Sequence, residues 1–166
     1  MRERGLPVLG TILPAARVNV DGALVVHNSW AGNNYMYSQL FRNGFFETVK
    51  VLEAPADELA VLKHVVYERN CVALVRALRD EYAHLGIGTE MTCMVSLLGA
   101  NRVELGITRW RYNLESHQGR FDRHTLVLPD LVLPAELDEE QALRPVFDLV
   151  WQAAGLPCFF NYDQEG

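Results

Sequence analysis

The sequence predicts an α+β domain in which a mainly antiparallel sheet of about five or six strands is packed by two amphipathic helices. Three stretches carry that reading. "YMYSQLFRNGFFETVKV", residues 35–51, alternates about Asn43-Gly44 as a two-stranded hairpin does. Two apolar stripes, over residues 66–85 and 143–154, recur at three-and-four spacing, the pitch of a helix with one buried side.

At 166 residues the chain is long enough to bury a core without disulfides or metals as staples. Residues 1–16, with two prolines, two glycines and no sustained period, read as an irregular N-terminal arm or the end of something upstream; residues 17–166 read as a single domain. "RVNVDGALVVH", residues 17–27, is either a tight hairpin about Asp21-Gly22 or one long strand with a glycine irregularity, and the single strand is favoured. In the 35–51 ribbon a two-residue Asn-Gly loop would pair Phe41 with Phe46 and Leu40 with Glu47. One face would then hold Met36, Leu40, Phe45, Val49 and Val51, and the other Tyr35, Tyr37, Phe41, Phe46 and Leu52. Apolar residues on both faces call for two covers, since a half-exposed ribbon normally keeps one face polar.

The helix over 66–85 supplies one cover: Tyr67, Cys71, Leu74, Val75, Leu78, Tyr82 and Leu85 share a side, and Gly86 stops it. Glu68, Arg69, Arg76, Arg79, Asp80 and Glu81 read as its solvated face. "EMTCMVSLL", residues 90–98, is apolar at both parities, as a central strand covered on two sides would be. "RVELGIT" is expected to return antiparallel to it. Pro129 places "HTLVLPDLVLP" at an edge or breaks it in two. In the last element Leu143, Val146, Phe147, Val150, Trp151 and Ala154 lie on one side, Gly155 is the stop, and Pro145 fits near the first turn.

Charge and cysteine usage narrow the functional classes. A formal charge of −6 disfavours phosphate backbones on average, so nucleic acid would need a local patch. Such a patch exists between residues 107 and 124, where Arg109, Arg111, Arg120 and Arg123 alternate with Trp110, Tyr112 and Phe121, a mixture suited to phosphate contact and base stacking; the same mixture suits a structural loop. Glu115, His117, Asp122 and His124 in that segment could be drawn as a metal or acid–base cluster, but their spacing matches no defensible site geometry. Cys71, Cys93 and Cys158 form neither a disulfide framework nor a zinc motif, and Cys71 and Cys93 read as small buried hydrophobes. His27, His64 and His84 read as surface or capping residues. No phosphate loop, nucleophile elbow or cofactor motif is present, so no cofactor is expected. No apolar run approaches a membrane span and no leader follows Met1, so the chain reads as cytoplasmic. The closing "NYDQEG" reads as a polar tail after an apolar anchor, with a docking strip as the alternative.

Four stretches, "VNVDGALV", "YSQLFRNGFFETV", "MVSLLGANRVELGI" and "LRPVFDLVWQAAGLPCFFNYDQEG", together resemble the C-terminal region of bacterial proteins whose N-terminal half is an AlbA-like, Schlafen-type DNA-binding domain. The resemblance runs over residues 17–166. It implies a module attached to a DNA-binding domain and carries no catalytic residues that map here. The expected function is a non-catalytic interaction or regulatory module that binds a protein partner or the upstream AlbA-like half, with homo-oligomers an option. Tyr35, Tyr37, Phe41 and Phe46 are the candidate interface. Direct nucleic-acid binding through residues 109–123 and a metal-dependent hydrolase are the alternatives.

Overall fold

The computed structural model describes residues 6–8, 11–13, 16–28, 35–88, 90–107 and 119–157. Two helices and short strands give the α+β class. The short stretch read as an irregular arm contains a small antiparallel hairpin, β1 (Leu6–Val8) with β2 (Thr11–Leu13). Next come the strands of a four-stranded antiparallel sheet in sequential order: β3 (Arg17–Val18), β4 (Gly22–Asn28), β5 (Tyr35–Phe41) and β6 (Phe46–Lys50).

Both turns in that sheet differ from the sequence reading. Residues 17–27 fold as a hairpin, with Arg17 opposite Leu24 and Val18 opposite Ala23, because Asn19 builds the corner: its Oδ1 accepts from the backbone N–H of Asp21 (3.0 Å) and of Gly22 (2.8 Å). Gly22 lies so close to β5 that a Cβ there would stand 2.0 Å from the Leu40 carbonyl oxygen. The second turn holds three residues rather than two. Gly44 N–H donates to Phe41 O, Phe41 N–H donates to Phe45 O, and Gly44 takes φ +84° as the bulge residue. Leu40 therefore faces Phe46, and Tyr37 faces Val49. This one-residue shift moves Phe46 and Phe45 to the faces opposite those expected.

β7 (Ala60–Leu62) leads into α1 (His64–His84) and pairs in parallel with β10 (Val103–Leu105), so the "RVELGIT" segment joins β7 and not the strand before it. Between them, β8 (Met91–Cys93) and β9 (Ser96–Leu98) pair antiparallel with β12 (Leu131–Leu133) and β11 (Thr125–Val127). Pro129 lies in the break between β11 and β12, as its missing N–H dictates. This ribbon is covered on one side only. Leu126, Leu128 and Leu133 are buried, whereas Met94, Leu98, Val127 and Val132 are exposed, so residues 90–98 are not a doubly covered strand.

The chain ends its described part with α2 (Glu139–Ala153), four residues longer at its start than the apolar stripe suggests. Asp138 caps it by accepting from the Gln141 N–H at 2.9 Å, and Glu139 and Glu140 favour the positive end of the helix dipole. Pro145 sits inside the helix, one turn further in than expected, and is exposed. α1 and α2 pack antiparallel, and their seam with the inner side of the ribbon forms the main core around Val72, Val75, Phe147, Val150 and Trp151.

Two residues assigned to the solvated face of α1 are buried in this seam, Glu68 at 4% exposure and Arg79 at 8%. Each has found its partners far away in sequence. The Trp151 indole N–H donates to Glu68 Oε1 at 3.1 Å. Arg79 donates to the carbonyls of Leu137 (2.7 Å) and Pro134 (2.6 Å) and pairs with Glu139 at 3.3 Å, tying α1 to the β12–α2 connection. His64, read as a surface or capping residue, is buried edge-on to Trp151 at 5.3 Å. Among the described residues no helix is long and apolar enough to cross a membrane.

Candidate interaction surface

The four-stranded sheet has two unlike faces, and the register decides which residues lie on each. On the first, Val25 (1% exposed) and Ser38 (0%) are sealed, with the Ser38 hydroxyl donating to Thr48 Oγ1 at 2.9 Å. β1 and the C-terminal half of α1 cover it: Leu40 and Phe46 meet Pro7, Leu78, Tyr82 and Leu85 around a small cavity of about 100 Å³. The Tyr82 hydroxyl also donates to Gly44 O at 3.0 Å, which fixes the hairpin turn against the helix.

The second face is built from three cross-strand rows. One holds Val26, Tyr37 and Val49; the next holds Arg17, Leu24, Gln39 and Glu47; the last holds Gly22, Phe41 and Phe45. Apart from β1, which meets Leu40 and Phe46 on the first face, no described helix or strand outside the sheet makes extensive contact with its strands. Val26 is 52% exposed and Phe45 44%, while Tyr37, Phe41 and Val49 are half-buried by one another; the Phe41 and Phe45 rings lie 5.7 Å apart. Tyr37 and Gln39 on this face already have hydrogen-bond partners. The Tyr37 hydroxyl donates to Glu47 Oε2 at 2.8 Å, a bond that together with burial raises the phenol pKa. Gln39, 6% exposed, exchanges hydrogen bonds with the Asn19 amide, accepting at 3.1 Å and donating at 3.4 Å.

Of the expected interface residues, Tyr37 and Phe41 lie on the open face. Phe46 has turned to the covered one, and the Tyr35 side chain lies outside the described residues. Phe45 and Val26, which sequence reasoning left out of the interface, belong to the open face; the shorter loop had hidden Phe45, and Val26 alternates in phase with Tyr37 across β4 and β5.

The other sequence candidates do not gather into a site among the described residues. Arg109, Trp110, Arg111, Tyr112, Glu115 and His117 lie outside them, as do Cys158 and the Asn161–Asp163 strip. Arg120 is exposed at a backbone bridge to Glu104, and Arg123 pairs with its neighbour Asp122 at 3.3 Å. His124 Nδ1 stands 3.4 Å from Thr125 Oγ1, and among the described residues no three His, Cys, Asp or Glu side chains converge as a metal site would require. Burial pushes the Cys71 thiol up to about 12 and raises Cys93 as well, so both stay protonated and packed, as small core residues do. An open groove of about 450 Å³ runs between α1 and the start of α2, with Arg69 and Arg76 on its rim; Arg76 is held by Glu139 at 3.0 Å.

Comparison with protein-family models, curated proteins and solved structures gives no match for this chain.

Proposed function

We propose that the chain is an interaction module that docks a protein on the open face of its four-stranded sheet. The observation that supports this is the asymmetry of the sheet: one face is sealed by β1 and α1, while the other leaves Val26 and Phe45 about half exposed beside Tyr37, Phe41 and Val49. Exposed apolar side chains grouped on one sheet face of a small domain mark a docking surface, because burying them returns roughly 25 cal/mol for each Å² removed from water. The role agrees with what the resemblance to AlbA-like, Schlafen-type proteins implies, a bacterial module that works beside a DNA-binding half and regulates or assembles it through protein contacts.

Binding of an environment-sensitive dye such as 8-anilinonaphthalene-1-sulfonate to the dilute chain tests the reading. Fluorescence enhancement is expected, and Phe45→Lys with Val26→Lys lowers it to what the exposed Met94, Leu98, Val127 and Val132 retain, while the circular dichroism spectrum is unchanged. A chain that gives no enhancement, or whose enhancement is undiminished by both substitutions, overturns the assignment of this face.

A further inference from the structure

We propose that the occupant of the open face is the same face of a second copy, related by a two-fold axis running along the strands. This rests on the reading of that face as a docking surface and adds the identity of the partner. The central row of the face carries a charge at each end. Arg17 on β3, at one edge of the sheet, and Glu47 on β6, at the other, are the two ends of the cross-strand row that runs through Leu24 and Gln39. Three strand spacings separate them, about 14 Å at the usual 4.8 Å each. The face is thus positive at one edge, negative at the other and uncharged between.

Such a pattern is self-complementary under one symmetry operation. A two-fold axis lying in the interface and parallel to the strands brings the β3 edge of one copy over the β6 edge of its partner. Each Arg17 then meets a Glu47 across the interface, twice over, at the rim. An axis perpendicular to the strands would instead set Arg17 on Arg17. The interior follows without adjustment: Tyr37 on β5 comes over Val26 on the facing β4, and Phe41 comes over Gly22, the one position in its row with no side chain to obstruct a ring. Two sheets closed in this way, roughly 10 Å apart, form a β-sandwich core.

Polar bookkeeping agrees. Gln39, the polar side chain in the middle of the row, is already 6% exposed and bonded to Asn19, so covering it removes little further contact with water. Glu47 has one oxygen on the Tyr37 hydroxyl, which leaves the other to accept from a guanidinium. Arg17 is exposed and forms no ion pair among the described residues. A partner that carried the same charge at both edges would satisfy only one end of this row. A second copy satisfies both.

Sedimentation equilibrium on the full chain and three variants decides the matter. The wild type is expected to form a concentration-dependent dimer. Arg17→Glu alone and Glu47→Arg alone each weaken it at least about tenfold, since each places like charges together twice. The double charge swap restores the dimer to within about threefold of wild type, an outcome that loss of folding cannot mimic. A wild type that stays monomeric at the highest concentration reached overturns the inference, as does a dimer that tolerates both single changes or is not rescued by the double one. The dye experiment separates the two levels: a monomer whose dye binding depends on Phe45 retains the docking face but takes another partner, whereas a monomer without dye binding loses both.

Discussion

Gly22 and Gly44 occupy the two turns of the sheet for different reasons, and substitution distinguishes them. At Gly44 nothing lies within 4 Å of where a Cβ would be, so Gly44→Ala carries only the cost of a left-handed backbone, about 1 kcal/mol. At Gly22 the added methyl meets the Leu40 carbonyl oxygen at 2.0 Å, backbone against backbone, so β4 and β5 have to separate where they pair. Gly22→Ala is expected to cost at least about 3 kcal/mol, in the range reserved for strained backbone and broken core pairing. Urea denaturation of the two variants checks the ordering. Equal losses would mean that β4 can yield at its first residue without disturbing its neighbour.

At the scale of elements, the one-residue difference in the 42–44 turn reassigns the aromatic residues, and the energetic consequence is measurable. Phe46, packed under α1 and β1, should cost about 2 kcal/mol on replacement by Ala, because half-buried ring area and its contacts with Leu78 and Tyr82 are lost. Phe45→Ala should stay within about 0.5 kcal/mol when measured at a dilution where the chain is monomeric, since its ring faces solvent. The two-residue register predicts both aromatics buried to a similar extent, and equal losses in chemical denaturation would support it. The same comparison says what was legible in the sequence. Period is a local property, so both helices, the ribbon and the break at Pro129 could be read directly. The turn could not, because Asn-Gly serves a two-residue turn and the last two places of a three-residue one equally well, and the choice flips every later side chain. Nor could the burial of Glu68 and Arg79, whose partners Trp151 and Pro134 lie 83 and 55 residues away. Polar residues in a helical stripe look solvated until those partners are known. For the candidate surface, Tyr37 and Phe41 were readable from alternation alone, while Arg17 and Glu47 become a pair of edges only after four strands are set side by side.

For the whole molecule, buried ionisable groups set both limits of the pH range in which the fold is most stable. Burial lowers the pKa of His64 from 6.5, so the folded chain holds a neutral imidazole where the unfolded chain takes up a proton. The unfolded state then binds more protons, and stability falls as pH drops from about 6.5 towards the lowered value. Glu139 adds a second acid step: burial acts to raise its pKa, but hydrogen bonds from Arg76, its own backbone and Arg79 outweigh that and hold it below 4.5. Its contribution is present above the ordinary carboxylate value and is lost as pH falls through the lowered one. The alkaline side has the opposite sign. Burial carries the Cys71 thiol from 9.0 to about 12, so above pH 9 the unfolded chain releases a proton that the folded chain retains, and stability declines from there upward. Tyr67, buried beside Phe147 and raised well above 10.0 by burial and by the charge of Glu68, steepens the decline. Thermal melts from pH 2 to 11 are expected to trace a plateau between about 7 and 9 with two shoulders on the acid side. His64→Gln should remove the shoulder that begins near 6.5 and leave the one below 4.5, and Cys71→Ala should flatten the first part of the alkaline decline even though it lowers stability throughout. An acid limb unchanged in His64→Gln would mean that the imidazole takes up its proton equally readily in the folded and unfolded chains, so that burial beside Trp151 does not shift it.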